Sequence, residues 1–117
     1  YDLIHTFIFR FLYFYDNNIL ANKMNKLNQD QINSNLKNLL GWSFENDSIT
    51  KQFQFKDFIE SLSFVNTVGL ESEKMDHHPD ILMFAWNKVK ITISTHSAGG
   101  VTEKDFSLAQ KIEERTK

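Results

Sequence analysis

No cysteine occurs in the 117 residues. Disulfide staples, thiolate nucleophiles and Cys-ligated zinc are therefore excluded. The lack suits a reducing compartment such as the cytoplasm. Proline occurs once, at Pro79, and glycine four times, too few for a proline- or glycine-rich linker. Neither sign of charge dominates: 13 Lys and Arg face 15 Asp and Glu, a net charge of −2. Such a balance gives no electrostatic case for a nucleic-acid face or an anionic membrane partner. The apolar stretch over residues 3–15 is interrupted by His5 and Arg10 and falls short of the roughly 20 residues that span a bilayer.

What is present is a chain long enough for one domain and too short for two. A domain this small buries a limited share of its surface, so partner subunits matter more than usual. Residues 1–23 are rich in aromatics, with Phe7, Phe9, Phe11 and Phe14 among them. They lack the basic n-region of a signal peptide. We read 1–23 as a leader or extension, with organelle targeting as a competing role, and 24–117 as one continuous domain.

Within that domain the pattern predicts three helices and four strands. A helix is expected over residues 29–40, with Asn28 and Gln31 at capping-box spacing, an apolar stripe of Ile32, Leu36, Leu39 and Leu40, and Gly41 as its stop. A short strand carrying Trp42 and Phe44 follows, then an Asn46-Asp47 turn. In the next strand Ile49, Lys51, Phe53 and Phe55 alternate with Thr50, Gln52 and Gln54, the period of a half-buried strand. A second helix, from Asp57 to about Lys74, is expected to face the core with Phe58, Leu62, Val65 and Val68. Residues 81–86 are apolar on both faces and read as a strand buried on both sides. Asn87-Lys88 reads as the hairpin turn, and residues 89–96 as the last strand. After a glycine-containing loop, the last helix begins at Thr102, with Phe106, Ala109 and Ile112 as its stripe. The order α-β-β-α-β-β-α predicts an α+β domain, a four-stranded antiparallel sheet with helices packed on one face. An apolar second face would need a cover, most simply a second subunit.

Three histidines stand out: His77 and His78 before Pro79, and His96 at the predicted end of the last strand. Imidazole titrates nearest neutral pH and can give or take a proton. Glu73, Asp76 and Asp105 lie close enough in sequence to fix a tautomer. Adjacent side chains on a straight strand point to opposite faces, so both histidines can meet one ligand only if the chain bends. Pro79 steers His78 away from helical conformation. The plainer readings are a polar turn for the His-His pair, a capping box for Thr102 and Asp105, and core for Trp42. The spacing of the three histidines fits no familiar zinc signature.

The residues also match a family. Phe53, Phe55 and Phe58 in F-x-F-x-x-F, then EKMDHHPD at 73–80, WNKVxIxxSTH at 86–96 and TEKDFxLA at 102–109 resemble the pterin-4a-carbinolamine dehydratases. The LxxLLGW run at 36–42 sits where that family has its first helix and tryptophan. The resemblance covers about 90 residues from Met24 onward. It implies the α+β fold, and a lyase that dehydrates 4a-hydroxytetrahydropterin to quinonoid dihydropterin without metal or organic cofactor. This recycles the cofactor of aromatic amino acid hydroxylases. It maps catalysis onto His77, His78 and His96. It places Trp42, Glu73, Asp76, Pro79, Ser94, Thr95, Ser97, Ala98 and Asp105 around the pterin, and it implies a homodimer or homotetramer. The segment between Pro79 and Trp86 is one residue longer than in animal members, and Ala98 stands where those have cysteine; neither change removes a proton-transfer group. Animal members also act as dimerisation cofactors of a homeodomain transcription factor, which makes a binding module the alternative function.

Overall fold

A computed structural model describes residues 25–117. The readings made for residues 1–23 lie outside the described residues.

The first helix, α1 (Gln29–Leu36), opens with the expected capping box. Gln31 N–H donates to Asn28 Oδ1, and Asn28 N–H to Gln31 Oε1, both at 2.9 Å. α1 ends four residues earlier than the apolar stripe predicts. Asn38 and Leu39 N–H bond three residues back, to Asn35 and Leu36, which tightens the chain out of the helix. Leu39 still turns inward, but Leu40 is 85% exposed. Gly41 then takes φ +87, and any Cβ there would stand 2.9 Å from the Lys51 side chain.

Strands β1 (Ser43–Glu45) and β2 (Ser48–Gln54) form the predicted hairpin. Its two turn residues, Asn46 and Asp47, both have positive φ, the mirror-image turn that matches strand twist. Along β2, Ile49 and Phe53 are buried while Gln52 and Gln54 are exposed.

Helix α2 (Phe58–Met75) is capped by Asp57, whose Oδ1 accepts from Glu60 N–H at 2.8 Å. Its rotation differs from expectation. Phe64, Val68, Ser61 and Ser72 face the core, whereas Phe58 and Leu62 are exposed. Phe64 sets this phase by packing on Phe53 and Phe55, at centroid distances of 4.7 and 4.8 Å. The helix is apolar over more than one stripe, so pattern alone does not select the buried one. Phe58, Ile59, Leu62 and Leu70 remain as an exposed apolar row.

Strands β3 (Asp80–Phe84) and β4 (Lys88–Ile93) make the second hairpin. Its turn is Ala85-Trp86, at φ 47 and 55, not Asn87-Lys88. Asn87 is otherwise engaged: its Nδ2 donates to Phe55 O at 2.9 Å, and its own carbonyl accepts from Phe55 N–H at 2.8 Å. Those bonds tie the hairpin to the end of β2 and move the reversal two residues upstream. β3 is also not buried on both sides, since Leu82 is 55% and Trp86 61% exposed.

The sheet order is β1-β2-β4-β3, antiparallel throughout. Ile49, Phe53, Val89, Ile91 and Ile93 meet the helices on one face. Helix α3 (Glu103–Arg115) completes that layer with Phe106, Leu108, Ala109 and Ile112 buried. The opposite face is mixed in character, with Gln52 and Lys90 paired in register and Leu82 beside Lys90. The α+β architecture is as predicted.

Glu71 joins α2 to α3. Its Oε1 accepts from Arg115 Nη2 at 2.8 Å and Nε at 3.0 Å. Desolvation works to raise its pKa, but the hydrogen bonds from Arg115 and Lys74 and their charges outweigh it and hold it below the usual carboxylate value.

Candidate active site

The His-His pair sits at the end of α2. Asp76 takes the left-handed conformation at φ 48. Its N–H bonds Glu73 O and the N–H of His77 bonds Ser72 O, both at 3.1 Å, a helix stop usually made by glycine. With Pro79 two residues on, the chain leaves the helix as a fixed turn into β3.

That turn splits the pair rather than presenting both rings together. His77 goes inward and is 8% exposed. Its Nε2 lies 2.6 Å from Asp105 Oδ1. His78 stays exposed and turns back along α2, with Nε2 3.2 Å from Glu73 Oε2. The opposite facing of neighbouring side chains thus survives the bend.

Asp105 is fully buried and accepts from three groups. Oδ2 accepts from Thr102 N–H and from Thr95 Oγ1, each at 2.8 Å. Thr102 is the N-cap of α3 and Asp105 its N3 residue, so the capping box is real. The same carboxylate nonetheless has Oδ1 left over for His77. The capping and site readings of Asp105 are compatible, because a carboxylate has about four acceptor positions. The negative charge also lies at the N-terminal end of α3, where the helix dipole favours it.

His96 does not end a strand. β4 stops at Ile93, and Thr95 pairs with Gly100 through a bridge whose Thr95 N–H to Gly100 O bond is 2.9 Å. His96 opens the 3-10 turn His96–Ala98, closed by Gly99 at φ 70. The early end follows from the loop folding back on Thr95. His96 and Ser97 are exposed, and Ala98 is half-buried. His96, Ser94, Thr95 and Asp80 line an open cleft of about 300 Å³ whose far wall is the Asn46-Asp47 turn. His77 thus lies across Asp105 from Thr95, and His96 is the residue after Thr95.

The other expected residues divide. Glu73, Asp76 and His78 are brought together, with one ligand atom of each within 4.8 Å of the others. All three are exposed, and such a surface cluster does not by itself identify a metal site. Among the described residues the three histidines form no joint ligand set. Trp42 is not brought to the histidines. Its Nε1–H donates to Glu113 Oε1 at 2.8 Å, and its ring packs edge-on against Phe53. Glu113 is eight residues along α3 from Asp105, about 12 Å at helical rise. Thr95 is buried with its hydroxyl committed to Asp105, so it is a support rather than a free contact. Sequence reasoning missed Thr102 beyond its capping role; nothing in the spacing signals that its hydroxyl reaches Thr95 at 2.8 Å.

Fold and site together define a small α+β protein with carboxylate-held imidazoles at one end of its sheet. The family model of pterin 4 alpha carbinolamine dehydratase matches residues 25–115. A relative from Sulfolobus acidocaldarius that carries the pterin-4-alpha-carbinolamine dehydratase name is 48% identical over 87 residues, 74% of this chain and 94% of its own. One from Trichormus variabilis with the same name is 44% identical over 86 residues, 74% of this chain and 91% of its own. The crystal structure of a transcriptional coactivator/pterin dehydratase from Brucella melitensis superposes with a TM-score of 0.73 at 39% identity, covering 77% of this chain and 97% of that one. The chain belongs to the pterin-4a-carbinolamine dehydratase family.

Proposed function

We propose that the protein dehydrates 4a-hydroxytetrahydropterins to quinonoid dihydropterins and water. The observation that carries this reading is the buried His77–Asp105 pair at 2.6 Å, one hydrogen bond away from the Thr95–His96 turn, in a chain of this family. The reaction breaks the C4a–O bond, and the hydroxyl leaves as water after taking a proton from an imidazolium. N5 gives its proton to a neutral imidazole as the C4a–N5 double bond forms. One proton is given and one taken, so acid and base restore each other through solvent. His77, His78 and His96 supply these groups. Glu73 and Asp76 accept from the amino-pyrimidine edge, while Pro79, Ser94, Ser97 and Ala98 shape the walls. Thr95 and Asp105 act from behind His77, and Trp42 from the core. These steps call for no metal or organic cofactor.

The physiological substrate in this reading is the 4a-hydroxytetrahydrobiopterin released by an aromatic amino acid hydroxylase, handled in the cytoplasm by a homodimer or homotetramer. The exposed row Phe58, Ile59, Leu62 and Leu70 on α2 supports self-association, because an apolar stripe on a helix gains by burial. The same row, with the coactivator name of the Brucella relative, supports a second reading: a dimerisation cofactor for a helical transcription-factor segment. A dehydration assay run beside a binding assay with such a helical segment separates the two. Accelerated dehydration supports the enzyme; stable complex formation without acceleration supports the binding module.

A further inference from the structure

We propose that Thr95 and Thr102 are positioning residues that hold the Asp105 carboxylate where its Oδ1 takes the Nε2 hydrogen of His77, leaving Nδ1 as the atom that exchanges protons with substrate. The consequence for catalysis rests on the dehydratase reading; the hydrogen-bond assignment does not.

The assignment follows from counting hydrogens along one chain of groups. Lys104 N–H donates to Thr102 Oγ1 at 3.3 Å. Thr95 Oγ1 donates its single hydrogen to Asp105 Oδ2 at 2.8 Å. Thr95 therefore has none left for Thr102, and the 2.8 Å contact between the two hydroxyls is donated by Thr102 and accepted by Thr95. Every bond in the run points toward Asp105. Its Oδ2 also takes the Thr102 N–H at 2.8 Å. As a carboxylate, Asp105 only accepts, so Oδ1 receives the hydrogen of His77 Nε2 across 2.6 Å. A neutral imidazole then has its acceptor at Nδ1.

Burial makes this order costly to change. Thr95 is 5% exposed, and Thr102 and Asp105 are closed to solvent. Reversing the ring would set two acceptors, imidazole nitrogen and carboxylate oxygen, against each other in a dry place, and water could not repair the mismatch. Aligned bonds in such surroundings also strengthen one another. No buried side-chain nitrogen or oxygen among the described residues lacks a partner. His77 Nδ1 has no partner among them, and the His77 side chain is 9% exposed, which makes Nδ1 the nitrogen a substrate can meet.

Thr95 links this arrangement to the other half of the site. It is the residue before His96, and its backbone N–H bonds Gly100 O at 2.9 Å, so the residue whose hydroxyl holds Asp105 also anchors, through its backbone, the turn bearing His96. Thr102 does the same for α3, whose first turn it caps.

The test uses the full chain labelled with 15N histidine, read by long-range 1H–15N correlation with the rings neutral, and by steady-state dehydration of a 4a-carbinolamine. Wild type is expected to show His77 as the Nε2–H tautomer alone. Thr95→Val, of similar shape but without the donor, should mix the tautomers and lower kcat about tenfold, the size of one lost hydrogen bond to a charged group, with KM within about twofold. Thr95→Ser restores the hydroxyl and should recover both readouts. If Thr95→Val does not fold, Thr102→Ala against Thr102→Ser makes the same comparison one bond further back. A wild-type Nδ1–H tautomer, or a folded donor-less variant with unchanged tautomer and kcat, or failure of the serine variants to rescue, overturns the proposal. If the wild-type protein shows no dehydration at all, the functional reading fails while the tautomer comparison still decides the positioning role.

Discussion

His77 and Asp105, 28 residues apart in sequence, meet through Nε2 and Oδ1 at 2.6 Å in a buried contact. The pair joins the stop of α2 to the start of α3, so the geometry of the candidate site and the stability of the domain share one carboxylate.

Replacing Asp105 should therefore damage both. Asp105→Ala removes a capping-box acceptor, worth about 1 kcal/mol. It also strands the buried Thr95 hydroxyl, at about 1–3 kcal/mol for an unmet group. A loss of about 2–4 kcal/mol in urea unfolding is expected, together with loss of dehydration. Asp105→Asn keeps the shape and one acceptor, so it should lose less than half of that stability while still impairing turnover. Equal stability loss in the two variants would mean the hydrogen bonds contribute little.

The Glu71–Arg115 clamp makes an acid-side prediction. Glu71 has a folded-state pKa below its ordinary value, so the folded state binds its proton less readily than the unfolded chain. The clamp's contribution is fully present above the unfolded carboxylate value and is lost as pH falls through the folded one. Thermal melts of Glu71→Gln should show a shallower fall in Tm on the acid side than wild type, with the two curves parallel at neutral and alkaline pH. Parallel curves down through the acid range would contradict the assignment.

The second hairpin carries removable strain. Ala85 is exposed at φ 47, where an L-residue with Cβ is disfavoured by about 1–2 kcal/mol. Ala85→Gly deletes only a methyl group there and should raise stability by about 0.5–1 kcal/mol. Denaturant unfolding checks this; a destabilised variant would show that the turn is relaxed by its surroundings.

The apolar row on α2 should behave as surface within the subunit and as interface between subunits. Ile59→Asp and Leu70→Asp alter exposed positions, so subunit stability should change by no more than about 0.5 kcal/mol. Sedimentation should shift toward smaller species. An unchanged sedimentation profile would remove this row from the assembly.

How much of this could be read from the sequence depended on whether the signal was local. Asn28/Gln31, Asp57 and Thr102/Asp105 marked the helix starts correctly, because a cap involves residues three apart. Alternation in β2 and β4 gave the sheet faces. Tertiary contacts decided the rest. Asn87 is drawn to Phe55, which moved the hairpin turn to Ala85-Trp86, and Phe64 on Phe53 and Phe55 set the rotation of α2. Leu40 completed an apolar stripe on paper but lies past the end of the helix. At the site, the histidines and carboxylates were visible as residue types at telling positions. Their pairing was not, since His77 with Asp105 and Thr95 with Thr102 depend on three elements converging. Family position groups Trp42 with the site, whereas its indole reaches Glu113 near the far end of α3.

The central claim is that these imidazoles move the protons of a pterin dehydration. Stopped-flow dehydration of a freshly generated 4a-carbinolamine, with wild type, His77→Ala, His78→Ala and His96→Ala each verified as folded, tests it most directly. The account predicts clear acceleration by wild type and a loss of about 10²-fold or more in His77→Ala, the range for removing a general acid or base. Measurable losses are expected in the other two. Wild-type rates in all three variants would contradict it.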